Sequence, residues 1–275
     1  MSLETFADYA TESFTMPEVC MKLRTMLDSG KTDIDDIAKL ITVDPSLSAK
    51  VLRLANSALF RFPSQVETTS KAISIIGGEA LYNIVMAETA SLAFRHFDSN
   101  LVNIDKHWHS SVYCGVAAQN VARRMKIRAS ERFFVMGILQ GLANLVIAKH
   151  APNQYSKITA PDTKGLPWDV QRSILGFTFA QCSGLILEQW RLPMPLYYPI
   201  QYMHENVKVK ADIDVCIMTF ADQISISQID KQRYASRILW ADNTQAELSL
   251  SDEQINEIID ETEKDTARIA STLLA

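Results

Sequence analysis

Cysteine is scarce and scattered in this chain: Cys20, Cys114, Cys182 and Cys216 include no CxxC pair, and each sits among apolar neighbours. Such usage excludes a disulfide framework and a cysteine-based zinc site, and reads as buried reduced thiols in a cytoplasmic protein. Positive charge is not in excess either. Lys plus Arg number 27 against 32 Asp plus Glu, a formal net charge of −5, so the chain lacks the field that a phosphate-backbone binder needs and no nucleic-acid partner is expected. The densest basic run, Arg123, Arg124, Lys126 and Arg128, reads as a solvated helix end. The longest apolar stretch, Phe133 to Ala148, is interrupted by Gln140 and Asn144, which makes it too short and too polar at its middle for a membrane span. The opening MSLETFADYATESF has neither the basic nor the apolar region of an export signal. A soluble, cytoplasmic protein without a membrane partner is the expectation. No Gly/Ser-rich linker, internal repeat or low-complexity tract appears, and no run of alternating residues with hairpin turns calls for strands.

What is present is helical periodicity in a chain of 275 residues, 47% hydrophobic and 21% charged, enough to bury a sizeable core. Thr15 and Glu18 read as a capping box ahead of a first helix that Gly30 ends. Thr32 opens a second helix, with Ile34, Ile37, Ala38 and Ile41 on one face. Asp44 and Pro45 are an N-cap and a first-turn proline for a third. Ser70 starts a short helix ending at Gly77-Gly78, and a longer one runs from Glu79 to about His96. Asp105 caps the next, and the apolar stretch from Ser130 to about His150 reads as one central buried helix. Further helices are expected at 152–160, 167–175, 178–191, 195–204 and 211–227, and Ser251 with Gln254 forms a capping box for an amphipathic last helix. The fold class is all-α. The expected organisation is a leader at 1–14, an N-terminal helical lobe at 15–98, a second helical lobe at 99–227, and an irregular segment with a C-terminal helix at 228–275.

The most specific signal is ITVDPSLSAKVLRLANSALF, Ile41 to Phe60, followed by TSKAISIIGGEALYNIVMA. With Asp44, Pro45, Leu47, Leu54, Ala55, Asn56, Ser57 and Gly77 in place, it resembles the HD-related output domain (HDOD) family. The resemblance continues through WHSSVYCGVAAQNVARRM, GILQGLANLVIAKHAPNQY, LGFTFAQCSGLILEQWRLP and IMTFADQI, nearly to the end of the chain. Physically, Asp44 offers acceptors to the free donors of a helix start, while Asn56 and Ser57 suit a loop anchor better than a ligand contact.

The second lobe is similar to the core of the HD phosphohydrolases, whose catalytic members hold metal with a His, a His-Asp pair and a distant Asp. That resemblance aligns His109 with the first His and Asp222 with the distant Asp, and puts Gln140 and Gly141 where the pair belongs. A neutral amide and a missing side chain replace an imidazole and a carboxylate, so no metal and no cofactor are expected. Phe179 stands where metal-rich relatives place a His, and Asn144 where many carry a Lys. His109 beside Trp108 then reads as a hydrogen-bonded core histidine, Asp222 as bound to His109, a backbone donor or water, and His204 as a helix-end or cavity-rim residue. No catalytic residue is assigned, because there is no phosphate loop, no GxSxG, no HExxH, and Ser110 and Ser111 are only sequence neighbours of His109. What the resemblance implies is a non-catalytic signalling output module acting by contact with an unidentified partner protein. Two alternatives stay open, a divergent metal-dependent phosphohydrolase and a small-molecule sensor using the vacated pocket with Gln140, Asn144, Trp108 and His204 about it. The loop from Phe60 to Thr69, with Phe60, Phe62 and Pro63, and the irregular segment near Ile238, Leu239 and Trp240 are candidate contact surfaces, unless the last helix covers them.

Overall fold

Helix boundaries in this protein are set by local chemistry. In the computed structural model, which describes residues 1–30, 33–57, 65–205, 212–234 and 242–274, Asp44 Oδ1 accepts from the backbone N–H groups of Ser46 at 2.8 Å and Leu47 at 3.1 Å. Pro45 then occupies the first turn, where its missing N–H costs nothing. At the far end of this helix Asn56 bridges to the returning chain. Its Nδ2 donates to Leu52 O and Val66 O, both at 2.8 Å, and its Oδ1 accepts from Val66 N at 2.7 Å. Ser57 Oγ closes the turn on Leu54 O at 2.7 Å. The shared motif is thus a loop clamp.

Among the described residues the chain forms seventeen helices and no strand. The first six are α1 (Leu3–Ser13), α2 (Glu18–Ser29), α3 (Ile34–Thr42), α4 (Pro45–Ala55), α5 (Thr69–Ile76) and α6 (Gly78–His96). Next come α7 (Ile104–Arg124), α8 (Glu131–Leu139), α9 (Leu142–His150), α10 (Pro152–Thr159), α11 (Pro167–Leu175) and α12 (Phe179–Gln189). The chain continues through α13 (Met194–Tyr202), α14 (Ile213–Ile229), α15 (Lys231–Tyr234), α16 (Asp242–Glu247) and α17 (Asp252–Leu274).

Several helix starts differ from the sequence reading. Pro17, without a side-chain cap, precedes α2, so Thr15 and Glu18 make no capping box there. Asp33 caps α3 through the N–H of Asp35, while the expected opener Thr32 lies outside the described residues. Asn103, not Asp105, caps α7 by accepting from Lys106 N at 2.8 Å. The unremarked Thr178 and Gln181 form a reciprocal capping box on α12. By contrast Ser251 and Gln254 pair as expected at the start of α17, and Gly30 ends α2 in the left-handed region at φ 61°.

Helix α7 is the axis of the second half, packing on α8, α14 and α17. Its crossing with α8 is backbone on backbone: a Cβ on Gly137 would lie 2.3 Å from Gly115 Cα, and one on Gly115 would lie 2.4 Å from Phe134 O. The expected central helix is divided at Gln140-Gly141 into α8 and α9. The stretch Glu131–His150 is long and apolar enough to cross a membrane by composition, yet 78% of its apolar window is buried inside the fold, as a core segment is. Residues 3–13, expected as part of a leader, form α1 instead, with Phe6, Ala7 and Ala10 fully buried against α9 and α12. One contiguous apolar core runs from Phe6 to Ile269 and includes residues of both lobes, among them Leu23, Ile41, Phe94, Val112 and Phe220.

Candidate functional site

The divided helix marks the centre of the site. Gln140 and Gly141 both have right-handed helical angles but belong to neither α8 nor α9, and Ser183 of α12 holds the turn they make. The Ser183 hydroxyl donates to Gln140 O at 2.7 Å and accepts from Ala143 N at 3.0 Å. Across from this turn α7 presents Ser111 and His107, one helical turn apart. A Cβ on Gly141 would meet Ser111 Oγ at 2.7 Å and the His107 Cε1 and Nε2 atoms at 2.9 and 3.0 Å. A side chain at this position would have to displace the Ser111 hydroxyl and the edge of the His107 ring.

His107 is the inward-facing histidine of α7, partly buried as a residue, with its Nε2 atom sealed from solvent. Its Nδ1 lies 3.2 Å from Asn144 Nδ2, and its ring packs on Phe94 at a centroid distance of 4.9 Å. The amide N–H is a donor, so Nδ1 accepts and the ring proton sits on Nε2. Nε2 has no partner in hydrogen-bonding geometry, although the Gly141 backbone lies near. Burial pushes the pKa of His107 down to about 4, opposed only weakly by that backbone. The imidazole is a neutral, enclosed group. Asn144 also lies against Tyr155, whose ring stacks with Phe179 at 6.3 Å.

Asp222 of α14 is engaged elsewhere. Its Oδ2 lies 2.9 Å from His204 Nε2, in a pair whose side chains are only 7% and 8% exposed. Trp168 stacks on His204 at 4.6 Å, and Arg172 ties down the His204 carbonyl and Glu205 Oε1, the latter at 2.9 Å. Next to Asp222, Cys114 has its thiol pKa raised, by burial first and by the Asp222 charge second. Ser225 Oγ donates to Ser110 O at 3.2 Å, binding α14 to α7 beside these groups.

Two expectations about histidines are corrected here. His109 is neither a core histidine nor a partner of Asp222; it is exposed on the outer flank of α7. Successive helical residues are rotated by about 100°, so residues two apart face nearly opposite ways, and His107 takes the inward direction. The spacing of His107 with Ser111, Cys114 and Gly115 was the available signal, a stripe of small or neutral residues at three- and four-residue steps. The His204 side chain is buried in a hydrogen bond with Asp222 instead of rimming an open cavity. Trp108 is buried with its ring edge-on to Phe94 at 5.7 Å, and its indole N–H has no partner. Asp44, Pro45, Asn56 and Ser57 lie in the first lobe, on α4 and its exit. The candidate surfaces at Phe60, Phe62, Pro63, Ile238, Leu239 and Trp240 fall outside the described residues. Ser183 and Trp168 went unnoticed, as a serine or tryptophan within a helix has no sequence mark of what it will face.

The profile of the HDOD domain family matches residues 14–206, more than half of the chain. The chain belongs to the HDOD family. An uncharacterized protein of Treponema pallidum (strain Nichols) is 22% identical to this HDOD chain over 220 residues, which is 79% of this chain and 42% of that protein. The chain therefore spans about two-fifths of the length of this curated relative. Among solved structures, a protein of Shewanella amazonensis SB2B, named provisionally as a phosphohydrolase, superposes with a TM-score of 0.73 at 20% identity, covering 98% of this chain and 97% of its own. A protein of Marinobacter aquaeolei VT8, named provisionally for signal transduction, gives 0.69 at 18% identity over 96% of this chain and 60% of its own. At such identities the likeness is one of HDOD fold, and the two names point to different activities. Among the described residues of this HDOD chain, no three His, Cys, Asp or Glu side chains converge as metal ligands would.

Proposed function

We propose that this HDOD chain is a non-catalytic output module of a bacterial cytoplasmic signalling pathway, acting through contact with a partner protein. The observation that carries this reading is the filled space at Gly141, where Ser111 Oγ and the His107 ring stand 2.7 to 3.0 Å from where a side chain would begin. The metal ion implied by the wider HD resemblance does not fit the donors present. Gln140 offers only a neutral amide, Gly141 has no side chain and its Cβ position is crowded by Ser111 and His107, and Asp222 is committed to His204. The one inward imidazole of α7 has its Nδ1 occupied by Asn144. Without a hydrolytic centre, the part left for a rigid helical body is recognition, for which buried polar clamps and a continuous core supply the required shape. The same crowding weighs against a ligand in the space left by the missing pair.

The test is metal content and turnover of the purified chain, measured together with its co-purification from source cells after chemical crosslinking. The expected result is substoichiometric Mn, Fe, Ni or Zn, background hydrolysis of bis-p-nitrophenyl phosphate, and a stoichiometric protein partner. Stoichiometric metal with turnover that disappears in His107→Ala and Asp222→Ala would reverse the assignment in favour of a phosphohydrolase.

A further inference from the structure

Helix α7 is gripped differently by its neighbours. Against α8 its glycine backbone makes direct contact, whereas against α17 it meets polar side chains. The inward stripe of α17 recurs at three- and four-residue steps as Ile255, Ile258, Thr262, Asp265, Thr266 and Ile269, all buried, so isoleucines hold the two ends and the turns between them are polar. In that stretch Asn120 Nδ2 of α7 donates to Thr262 Oγ1 at 3.2 Å. Arg124 meets Glu257 at 2.6 Å, in a contact exposed enough to be worth little.

Two hydroxyls on this seam, Tyr113 of α7 and Thr266 of α17, are sealed from solvent and have no hydrogen-bond partner. Tyr113 lies against α17, since the charges of Glu263 and Asp260 act on its phenol. A sealed, unpaired hydroxyl has given up its water for nothing, so closing α17 over these two groups costs free energy that opening returns. Beside the seam the packing is incomplete as well. A recess of about 450 Å³, open along one side, lies among Lys106 and His109 of α7, Gln228 of α14, and Glu263 and Ala267 of α17. The base of α17 is fastened more firmly. Cys216 Sγ donates to Glu247 Oε2 at 2.8 Å, holding α16 on α14, and Leu248 and Leu250 are buried. Between those leucines Ser249 takes the left-handed conformation at φ 51°, uncommon for a residue with a Cβ. The start of α17 is capped from its own segment, by Ser251 with Gln254 and by Gln245, whose Nε2 donates to Leu250 O at 3.1 Å and to Asp252 Oδ1 at 2.9 Å.

We propose that α17 is a strap, which leaves α7 and α4 as one unit about the turn at Ser249 and uncovers the Tyr113 and Asn120 face of α7 while the other helices stay packed. A fixed base, a turn in an uncommon conformation and an arm whose central contacts are polar and partly unpaired are what an element drawn from the low-stability end of a fold requires. The open form offers a contact face that the closed form withholds, so a protein that binds this face draws the strap open. That use rests on the signalling reading, whereas the opening itself depends on the seam alone and involves no residue of the Gly141 site.

The experiment is thiol labelling of the purified full chain under native conditions, with the labelled positions located by mass spectrometry. Thr266→Cys puts a thiol of nearly the same shape on the inner side of α17 without removing a hydrogen bond, and Cys114 and Cys182, both 0% exposed, report opening of the core in the same molecule. Labelling of Thr266→Cys at least about a hundredfold faster than at Cys114 and Cys182 is expected, because opening of the strap alone suffices for it. Ile258→Cys, two turns nearer the base, should react within about tenfold of Thr266→Cys, as one unit requires. Adding Tyr113→Phe to Thr266→Cys removes an unpaired hydroxyl and should slow its labelling at least about fivefold, with thermal unfolding confirming that the variants are folded. Labelling of Thr266→Cys no faster than at the core thiols, reaction of Ile258→Cys at the core rate, which would mean fraying of the far end, or a Tyr113→Phe rate that is unchanged or raised would overturn the proposal. Since no partner is present in this measurement, its outcome is separate from that of the co-purification test.

Discussion

His107 is a base that the fold holds neutral, and that has a direct consequence for acid stability. An ordinary histidine protonates near 6.5, whereas His107 in its apolar enclosure does so near 4. Between those values the unfolded chain binds a proton that the folded chain refuses. Stability from this group is thus unaffected above about pH 6.5 and falls as the pH drops toward 4, by roughly 3 kcal/mol. Urea unfolding at pH 7 and pH 4.5 should show a smaller loss for His107→Gln than for the unaltered chain. Equal losses in both would mean that carboxylates alone set the acid limit. His109, two residues on and exposed, should leave that difference unchanged when replaced by Gln.

Helices α7 and α8 meet at two glycines, an element-scale feature that no periodicity could announce. Because the Gly137 Cβ position falls 2.3 Å from Gly115 Cα, a methyl group there strikes main chain, which cannot rotate away. Gly137→Ala is expected to cost about 1–3 kcal/mol or more through separation of the helices, despite the better helix propensity of alanine. A thermal melt reads this directly; a midpoint at or above that of the unaltered chain would show that the crossing can yield. Helix boundaries were legible where a local cap sets them, as at Asp44, Gly30 and Ser251, and mistaken where a neighbour a few residues away served equally, as with Asn103 in place of Asp105. The division of the apolar stretch at Gln140-Gly141 escaped notice because what stabilises that turn is Ser183, forty-three residues along the chain from Gln140.

For the whole molecule the decisive element is α1. Phe6 is fully buried, edge-on to His150 at 5.6 Å and to Phe177 at 5.7 Å, so the first helix closes the core over α9 and α12. Phe6→Ala should cost about 3–5 kcal/mol in denaturant unfolding with a single transition, as expected for a core shared by all parts. A loss below about 1 kcal/mol, or a separate early transition, would make α1 an appended piece. By itself the sequence determined that the protein is all helical and which HDOD landmarks it carries, because side-chain type, period and motif order are properties of the linear chain. Only the tertiary structure decided which histidine faces inward, that Asp222 is held by His204, and that Ser111 and His107 fill the space at Gly141. Those outcomes depend on how helices far apart in sequence rotate and approach one another, and that is fixed by packing among all of them at once.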